Sequence, residues 1–147
     1  MRLTTFTDYA LRVLLHVATA PEGRATVAEV ARAYAVSEHH LVKVVHRLGQ
    51  AGLLSNTRGH GGGLRLARAP DSITVGEVVR RTEGDSLLAD CFGDRGRCAL
   101  VGTCRLVDVL READAAFYQT LDRYTLRDLL GEPRRVAAIP HRMGARA

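Results

Sequence analysis

The sequence predicts a mainly α-helical fold in which a winged helix-turn-helix domain is followed by a long C-terminal helix. Three observations lead to this prediction. Apolar residues recur with a helical period in three segments of the first 50 residues, a glycine-rich segment between two β-like runs comes next, and a long apolar stripe lies between residues 105 and 122. The 147-residue chain has no tryptophan and few aromatic residues, which favours a core of Ala, Leu and Val.

The first two helices are indicated by apolar periodicity and by capping residues. Over residues 6–18, apolar side chains fall at the i, i+3, i+4 and i+7 positions of one helix face, with Thr5 as the predicted cap. Residues 21–23, with the sequence PEG, end this helix. Thr26 and Glu29 predict a capping box for the second helix, because each side chain can accept a hydrogen bond from the other residue's backbone amide.

A third helix and a hairpin complete the predicted winged unit. Ser37 is the predicted cap of the third helix, and about three residues separate this helix from the second, which is the geometry of a helix-turn-helix. Its apolar face consists of Leu41, Val44, Val45 and Leu48. Two β-like runs, around residues 53–56 and 64–67, flank a glycine-rich tip and predict a hairpin. A third helix followed by a basic hairpin is the pattern of a winged helix.

The C-terminal part is predicted to contain a fourth helix capped by Thr74, a cysteine-containing loop, a long helix from Thr103 to about Asp122 and a short helix at "YTLRDLL". The long helix has an apolar stripe that is too extensive to face solvent, so we expect it to pair with a second copy of the chain. The stripe consists of Leu106, Val109, Leu110, Ala113, Phe117 and Leu121. The predicted units are a winged-helix DNA-binding domain (1–83), the cysteine-containing loop (84–104), the dimerisation helix with the short terminal helix (105–130) and a disordered tail (131–147).

Charge and composition favour some classes of protein and argue against others. The formal net charge is +5 and the isoelectric point is about 9.6, which suits a polyanionic partner such as nucleic acid. No run of 18 apolar residues occurs, and Asp8 and Arg12 interrupt the apolar N-terminal stretch, so we expect no membrane span, no signal peptide and a cytoplasmic location. We also expect a protein that is not an enzyme, because no nucleophile–base motif, phosphate-binding loop or paired-carboxylate site stands out.

The outer face of the third helix and the hairpin together predict DNA binding. In a helix-turn-helix the recognition helix, here the third helix of the chain, enters the major groove. This places His39, His40 and Lys43 near base edges and Arg47 and Gln50 near the DNA backbone. The alternative is an ordinary solvated charged face. The hairpin favours DNA, because arginine suits a narrow minor groove and glycines allow close approach. The candidate wing contacts are Arg58, His60, Gly61, Gly62 and Arg65, and the candidate phosphate contacts are Ser37, Thr57 and Arg58.

The three cysteines of the chain, Cys91, Cys98 and Cys104, have the spacing C-x6-C-x5-C. This spacing lacks the tight C-x2-C pairs of common zinc and ferredoxin motifs, so their clustering in one glycine-rich loop is the main indication of a metal site. The alternative is that some are buried structural thiols. A fourth ligand is left open, with Asp90, Asp94 and Asp8 as candidates. Asp8 by itself reads as structural, because it precedes Arg12 by four residues, a common ion-pair spacing.

Several segments resemble the NsrR family of nitric-oxide-sensing repressors, within the winged-helix superfamily that also includes IscR. The resemblance covers about residues 1–130 and is carried by "TFTDYALRVLLHVA", "SEHHLVKVVHRLGQAGLL", "RGHGGGLRLAR", "ITVGEVVRRTEG", "CRL" and "YTLRDLL". It implies a homodimeric repressor that binds a palindromic operator and releases it when nitric oxide nitrosylates an iron–sulfur cluster.

The resemblance also implies the ligands of this cluster. They would be Cys91, Cys98 and Cys104 of one subunit and Asp8 of the partner subunit, with a 4Fe-4S cluster favoured over a 2Fe-2S cluster. The IscR branch has a histidine three residues after the last cysteine, where this chain has Val107. The alternative hypothesis is a regulator of the same fold that senses iron, redox state or a small molecule, with zinc or free cysteines.

Overall fold

The computed structural model describes residues 3–57, 59, 62–84 and 105–131. The elements are α1 (Thr5–Thr19), α2 (Val27–Tyr34), α3 (Glu38–Gln50), β1 (Leu54–Thr57), β2 (Gly63–Leu66), α4 (Val75–Glu83), α5 (Arg105–Asp122) and α6 (Leu126–Leu130), with short 3-10 turns at Pro21–Gly23 and Pro70–Ser72. In the described residues this is the predicted mainly helical fold, with one hairpin. Predictions for Arg58, His60, Gly61, Asp90, Cys91, Asp94, Cys98, Thr103, Cys104 and the tail from residue 132 lie outside the described residues.

Helix α1 runs through the centre of the core. Its inward face is fully buried at Ala10, Val13 and Leu14. The cap is one residue earlier than predicted: the Thr4 hydroxyl, not that of Thr5, accepts a hydrogen bond from the Thr7 amide at 3.3 Å. Thr4 has extended backbone angles, which let its side chain fold back over the first turn of the helix.

The helix-turn-helix forms where its sequence predicts it. The α2 capping box is present, because the Thr26 hydroxyl accepts from the Glu29 amide at 3.2 Å and the Glu29 carboxylate accepts from the Thr26 amide at 2.6 Å. Residues 35–37 form the three-residue link. Ala35 closes α2 in the left-handed conformation at φ 52°, and the Val36 amide donates to the Ala31 carbonyl at 3.0 Å. This turn sets the angle at which α3 leaves α2.

The wing is an antiparallel hairpin in which Leu54 pairs with Leu66 and Thr57 pairs with Gly63. Both strands occur within one residue of the predicted runs. The hairpin is tied to the segment before α2, because Ala25 and Leu64 exchange backbone hydrogen bonds of 3.1 and 2.7 Å. The wing therefore has a fixed base against the domain core.

Helices α4 and α6 pack against α1, and α5 packs on α4. The longest, α5, meets α4 through a small cluster of Val75, Val79 and Tyr118. Near its end, Asp122 accepts two hydrogen bonds from Arg80, at 2.8 and 2.5 Å. In the part of the chain that the structure describes, no helix is long and apolar enough to cross a membrane. The division of the chain into the four predicted units stays a prediction.

Candidate nucleic-acid interface

Helix α3 presents a polar face to solvent because its apolar face is anchored in the core. Leu41, Val44 and Leu48 are at most 2% exposed, so the helix cannot rotate about its axis without losing this burial. The opposite face carries five exposed side chains with hydrogen-bonding groups: His39, His40, Lys43, His46 and Gln50. The structure thus brings the predicted base-contacting residues His39, His40 and Lys43 together at the start of one exposed helix face.

The start of α3 leaves a hydroxyl group available for a ligand. Ser37 occupies the predicted cap position, and its carbonyl accepts hydrogen bonds from the His40 and Leu41 amides at 3.1 and 3.2 Å. Its side chain, however, makes no capping hydrogen bond to the helix, so this part of the prediction is wrong. The Ser37 residue is exposed. A hydroxyl group at a helix N-terminus is well suited to a phosphate oxygen.

Arg47 takes part in a contact within the protein. Its Nε donates a hydrogen bond to the Arg81 carbonyl at 3.3 Å, which joins α3 to the last turn of α4. The side chain remains exposed, so the contact leaves its other guanidinium donors at the surface. The predicted contact of Arg47 with the DNA backbone stays a prediction, and so does that of Gln50.

The described part of the wing carries an exposed arginine and is sterically constrained. Arg65 is exposed, and its Nη1 donates to the Glu22 carbonyl at 2.7 Å, which holds the hairpin against the turn after α1. Thr57 is exposed at the end of β1. Gly62 has a structural requirement as well, because a Cβ atom at this position would collide with the Thr57 carbonyl oxygen. Each of these residues belongs to the hairpin that the sequence predicts to bind DNA.

Asp8 forms the ion pair that its spacing predicts. Its Oδ2 lies 2.8 Å from Nε of Arg12, and both side chains are about half exposed. The Arg12 guanidinium also stacks over the Tyr34 ring at 5.6 Å, and the His16 ring packs edge-on to the same ring at 5.7 Å. Burial lowers the pKa of His16, and the nearby Glu29 carboxylate opposes this shift. Asp8 is thus a half-exposed carboxylate whose ion-pair partner among the described residues is Arg12.

The ligand set predicted for a metal cannot be assembled from the described residues alone. Within them, no three His, Cys, Asp or Glu side chains come together as a group that could hold a metal ion. The three cysteines lie outside the described residues, so Asp8 is the one predicted ligand that the structure describes.

A polar cluster that sequence reasoning missed joins α1 to α4, and we call its four residues, Thr4, Thr7, Thr82 and Glu83, the α1–α4 polar junction. Glu83 accepts hydrogen bonds from the amide and hydroxyl of Thr4 at 2.7 and 3.0 Å. The Thr7 hydroxyl, which is fully buried, donates to the Thr82 hydroxyl at 2.8 Å. Burial alone would raise the pKa of Glu83, but hydrogen bonding to the threonines at the start of α1 outweighs it and lowers this pKa.

Residue Val42 of α3 was not predicted as a site residue, because its side chain has no hydrogen-bond donor. It lies among the polar residues of α3 and is 55% exposed. Its helical position gave the signal: the apolar face of α3 repeats at Leu41, Val44, Val45 and Leu48, and Val42 falls outside that pattern.

Comparison with known proteins supports the nucleic-acid interpretation. Residues 3–132 match the family model Rrf2, described as an iron-dependent transcriptional regulator. The chain is 45% identical to the HTH-type transcriptional regulator NsrR of Bacillus subtilis (strain 168), over 88% of this chain and 90% of that relative. It is 47% identical to NsrR of Geobacillus kaustophilus (strain HTA426), over the same shares of each chain. The resemblance found in the sequence is therefore confirmed.

Solved structures confirm the fold class. The structure of CymR, the global cysteine regulator of B. subtilis, matches with a TM-score of 0.70 and 27% identity, over 88% of this chain and 95% of that one. IscR of T. potens matches with a TM-score of 0.72 and 24% identity, over 100% of this chain and 94% of that one, a likeness of fold alone.

Proposed function

Since the chain belongs to the Rrf2 family of transcriptional regulators, we propose that it is a nitric-oxide-responsive repressor that senses through an iron–sulfur cluster. The observation that carries this proposal is that α3 exposes a face rich in hydrogen-bond donors to solvent. The chain that carries this helix is 45% identical to NsrR over most of its length. That the protein is a transcriptional regulator of the NsrR type follows from the relatives themselves. The signal, the cluster, the homodimer and the palindromic operator are the proposed part.

The proposed DNA contacts follow from the geometry of a winged helix. Helix α3 enters the major groove with His39, His40 and Lys43 at base edges, while the wing follows the adjacent minor groove. Arginine and histidine side chains of the wing, with its glycines, contact the minor groove, and hydroxyl groups near α3 and β1 contact phosphates. The full proposed set is Ser37, His39, His40, Lys43, Arg47, Gln50, Thr57, Arg58, His60, Gly61, Gly62 and Arg65.

The proposed homodimer is supported by the exposed apolar face of α5. Leu106 and Val109 are 59% and 60% exposed, and Phe117 and Leu121 of the same stripe are only partly covered by the chain itself. A second copy would cover this stripe by pairing helix against helix. A two-fold dimer presents two copies of α3, which matches the symmetry of a palindromic operator.

The proposed cluster ligands are Cys91, Cys98 and Cys104 of one subunit and the partner subunit's Asp8. Three thiolates and one carboxylate form a donor set that suits an iron–sulfur cluster, and the exposure of Asp8 leaves its carboxylate accessible to another chain. A 4Fe-4S cluster is favoured over a 2Fe-2S cluster. When bound, the cluster would supply iron that reacts with nitric oxide.

A chain of contacts supports coupling between Asp8 and the DNA-binding helix. Asp8 lies in the first turn of α1, and the α1–α4 polar junction fixes that turn to the end of α4. The same end of α4 accepts the hydrogen bond from Arg47 of α3 through the Arg81 carbonyl. A displacement of the start of α1 would therefore reach α3 through two sets of hydrogen bonds. This is the proposed route by which loss of the cluster weakens DNA binding.

The experiment that tests the proposal compares Asp8→Ala with Arg12→Ala in anaerobically purified protein. Both variants lose the same exposed ion pair, whose contribution to stability is about 0–1 kcal/mol, but only Asp8→Ala loses the proposed ligand. We expect Asp8→Ala to need higher nitric oxide doses to release operator DNA and to show altered cluster retention in native mass spectrometry. We expect Arg12→Ala to stay close to the original protein. Release of DNA by Asp8→Ala at unchanged doses would contradict the proposal.

A second candidate is a regulator of the same fold that senses iron, redox state or a small molecule. It is favoured by the likeness of this chain to CymR, whose structure is described as that of a global cysteine regulator. Colour and metal content separate the two candidates. Anaerobically purified protein that is brown and contains iron and sulfide supports the first candidate, whereas colourless protein with zinc or free thiols supports the second.

A further inference from the structure

Val42 occupies a position on α3 that neither burial nor helix propensity explains. It is 55% exposed, while the other large apolar residues that are exposed in the described part of the chain lie on α5 or beyond it: Leu106, Val109, Tyr124 and Leu129. Of its neighbours one helical turn away, Val45 is buried, whereas His39 and His46 are exposed polar residues. Valine is a weaker helix former than alanine because its branched side chain loses rotamer freedom in a helix. More than half of this valine is thus left uncovered by the described part of the chain.

The position of Val42 on the helix places it at the edge of the proposed base-reading face. Successive residues rotate by about 100° around an α-helix, so Val42 lies about 60° from His39 and flanks the polar stripe on one side. His40 and Arg47 flank the same stripe on the other side. Val42 also lies in the first half of α3, the part of a recognition helix that meets base edges. Its two methyl groups would therefore face the major groove when α3 docks.

The major groove offers a methyl group as the partner for such a side chain. Base edges there present hydrogen-bond donors and acceptors, together with the C5-methyl group of thymine. Histidine and lysine can read the polar groups, whereas a valine has only methyl groups to offer. We infer that Val42 packs on the C5-methyl of a thymine and so specifies thymine at one position in each half-site, beside the bases that His39 and Lys43 contact. This inference rests on the proposed function, because it requires α3 to enter the major groove.

The test removes only the methyl group from the DNA. Duplexes that bind the full-length, anaerobically purified protein are first selected from a random pool, and each thymine of one half-site is then replaced by uracil. For the original protein, uracil at one position should raise the Kd about fourfold, the effect of exposing one buried methyl group. Val42→Ala should raise the Kd on the thymine duplex by a similar factor and should no longer distinguish uracil from thymine there. A double-mutant cycle of protein and DNA isolates this pair.

Leu129→Ala is the matched control, because it shortens an exposed apolar side chain on α6, away from α3. For Leu129→Ala, replacing thymine by uracil should change the Kd by the same factor as for the original protein at every position. The inference is overturned if the response to uracil is the same in Val42→Ala and in the original protein at every thymine. A pool from which no sequence is enriched overturns the proposed DNA recognition and this inference together, whereas enrichment without a Val42-dependent position overturns the inference alone.

Discussion

Helices α3 and α5 are both amphipathic, but they leave opposite faces uncovered. The apolar face of α3 is buried by its own chain, and Leu48 and Val44 are 0% and 1% exposed. On α5 the corresponding apolar residues Leu106 and Val109 are 59% and 60% exposed. Each helix thus leaves free the face that suits its proposed partner, a polar face for DNA and an apolar face for a second copy of the chain.

The different surroundings of the two helices explain this contrast. Helix α3 contacts α1, α2 and β1, so its apolar face is enclosed by three elements. Helix α5 packs chiefly on α4, through Tyr118 and the ion pair between Arg80 and Asp122. One contact surface along part of an 18-residue helix leaves the first half of its apolar stripe exposed. Substitutions on the two helices should therefore affect different properties of the protein.

Truncation of the apolar face of α3 should have the largest effect on stability. Leu48→Ala should lower the free energy of unfolding by about 2–5 kcal/mol, because it leaves a cavity at a fully buried site. The measurement is urea denaturation followed by circular dichroism. Val42→Ala is the control at an exposed position of the same helix and should change stability by no more than about 0.5 kcal/mol. Equal losses in the two variants would contradict the assignment of the two faces of α3.

A charge on the apolar face of α5 should act on assembly and DNA binding, and much less on the fold. Leu106→Asp places a carboxylate within the exposed part of the proposed dimer interface, so sedimentation should show a monomer with an unchanged helical spectrum. DNA affinity should fall about 100-fold, because each monomer then binds one half-site without the gain of bivalent binding. Leu129→Asp, at an exposed position on α6, is the control and should remain dimeric. A dimeric Leu106→Asp protein with full affinity would remove α5 as the proposed interface.

The sequence was sufficient to predict α3 because the information is local. Each feature that predicts α3 involves residues that are close in sequence: the helical spacing of its apolar residues, the short link after α2, and the capping box at Thr26 and Glu29. The same holds for the Asp8–Arg12 ion pair, which spans one helical turn. These features depend on helix geometry alone, and the structure agrees with them.

Contacts between distant residues could not be predicted in this way. The hydrogen bond from Arg47 to the Arg81 carbonyl spans 34 residues, and that from Thr7 to Thr82 spans 75. They form only because α1, α3 and α4 pack together, and the residue types involved are common on helix surfaces. At Ser37 the sequence indicated a capping hydrogen bond that the structure lacks, because a cap position can also be satisfied by the backbone alone. The roles of the three cysteines stay predictions from the resemblance.

The attachment of α5 to α4 should give the smallest effect, visible as a dependence of stability on pH. Hydrogen bonds from Arg80 lower the pKa of Asp122. A carboxyl group with a lowered folded pKa stabilises the fold above its unfolded pKa of about 3.9, and this contribution is lost as the pH falls through the folded pKa. Because the two side chains are 45% and 37% exposed, solvent screening limits the expected contribution to about 0.2–1 kcal/mol.

The measurement compares the free energy of unfolding of the original protein and Asp122→Asn between pH 7 and pH 2. The two stabilities should differ by a constant amount above about pH 5 and converge below about pH 4, where the carboxyl group takes up its proton. Asp108→Asn removes a carboxylate from the exposed first turn of the same helix, and its stability should parallel that of the original protein. If the free energy of unfolding of Asp122→Asn also stays parallel to that of the original protein across this pH range, the Arg80–Asp122 pair does not hold α5 in place. The attachment of α5 would then rest on Tyr118 and the stacked Arg80 guanidinium, 4.4 Å from the ring centre.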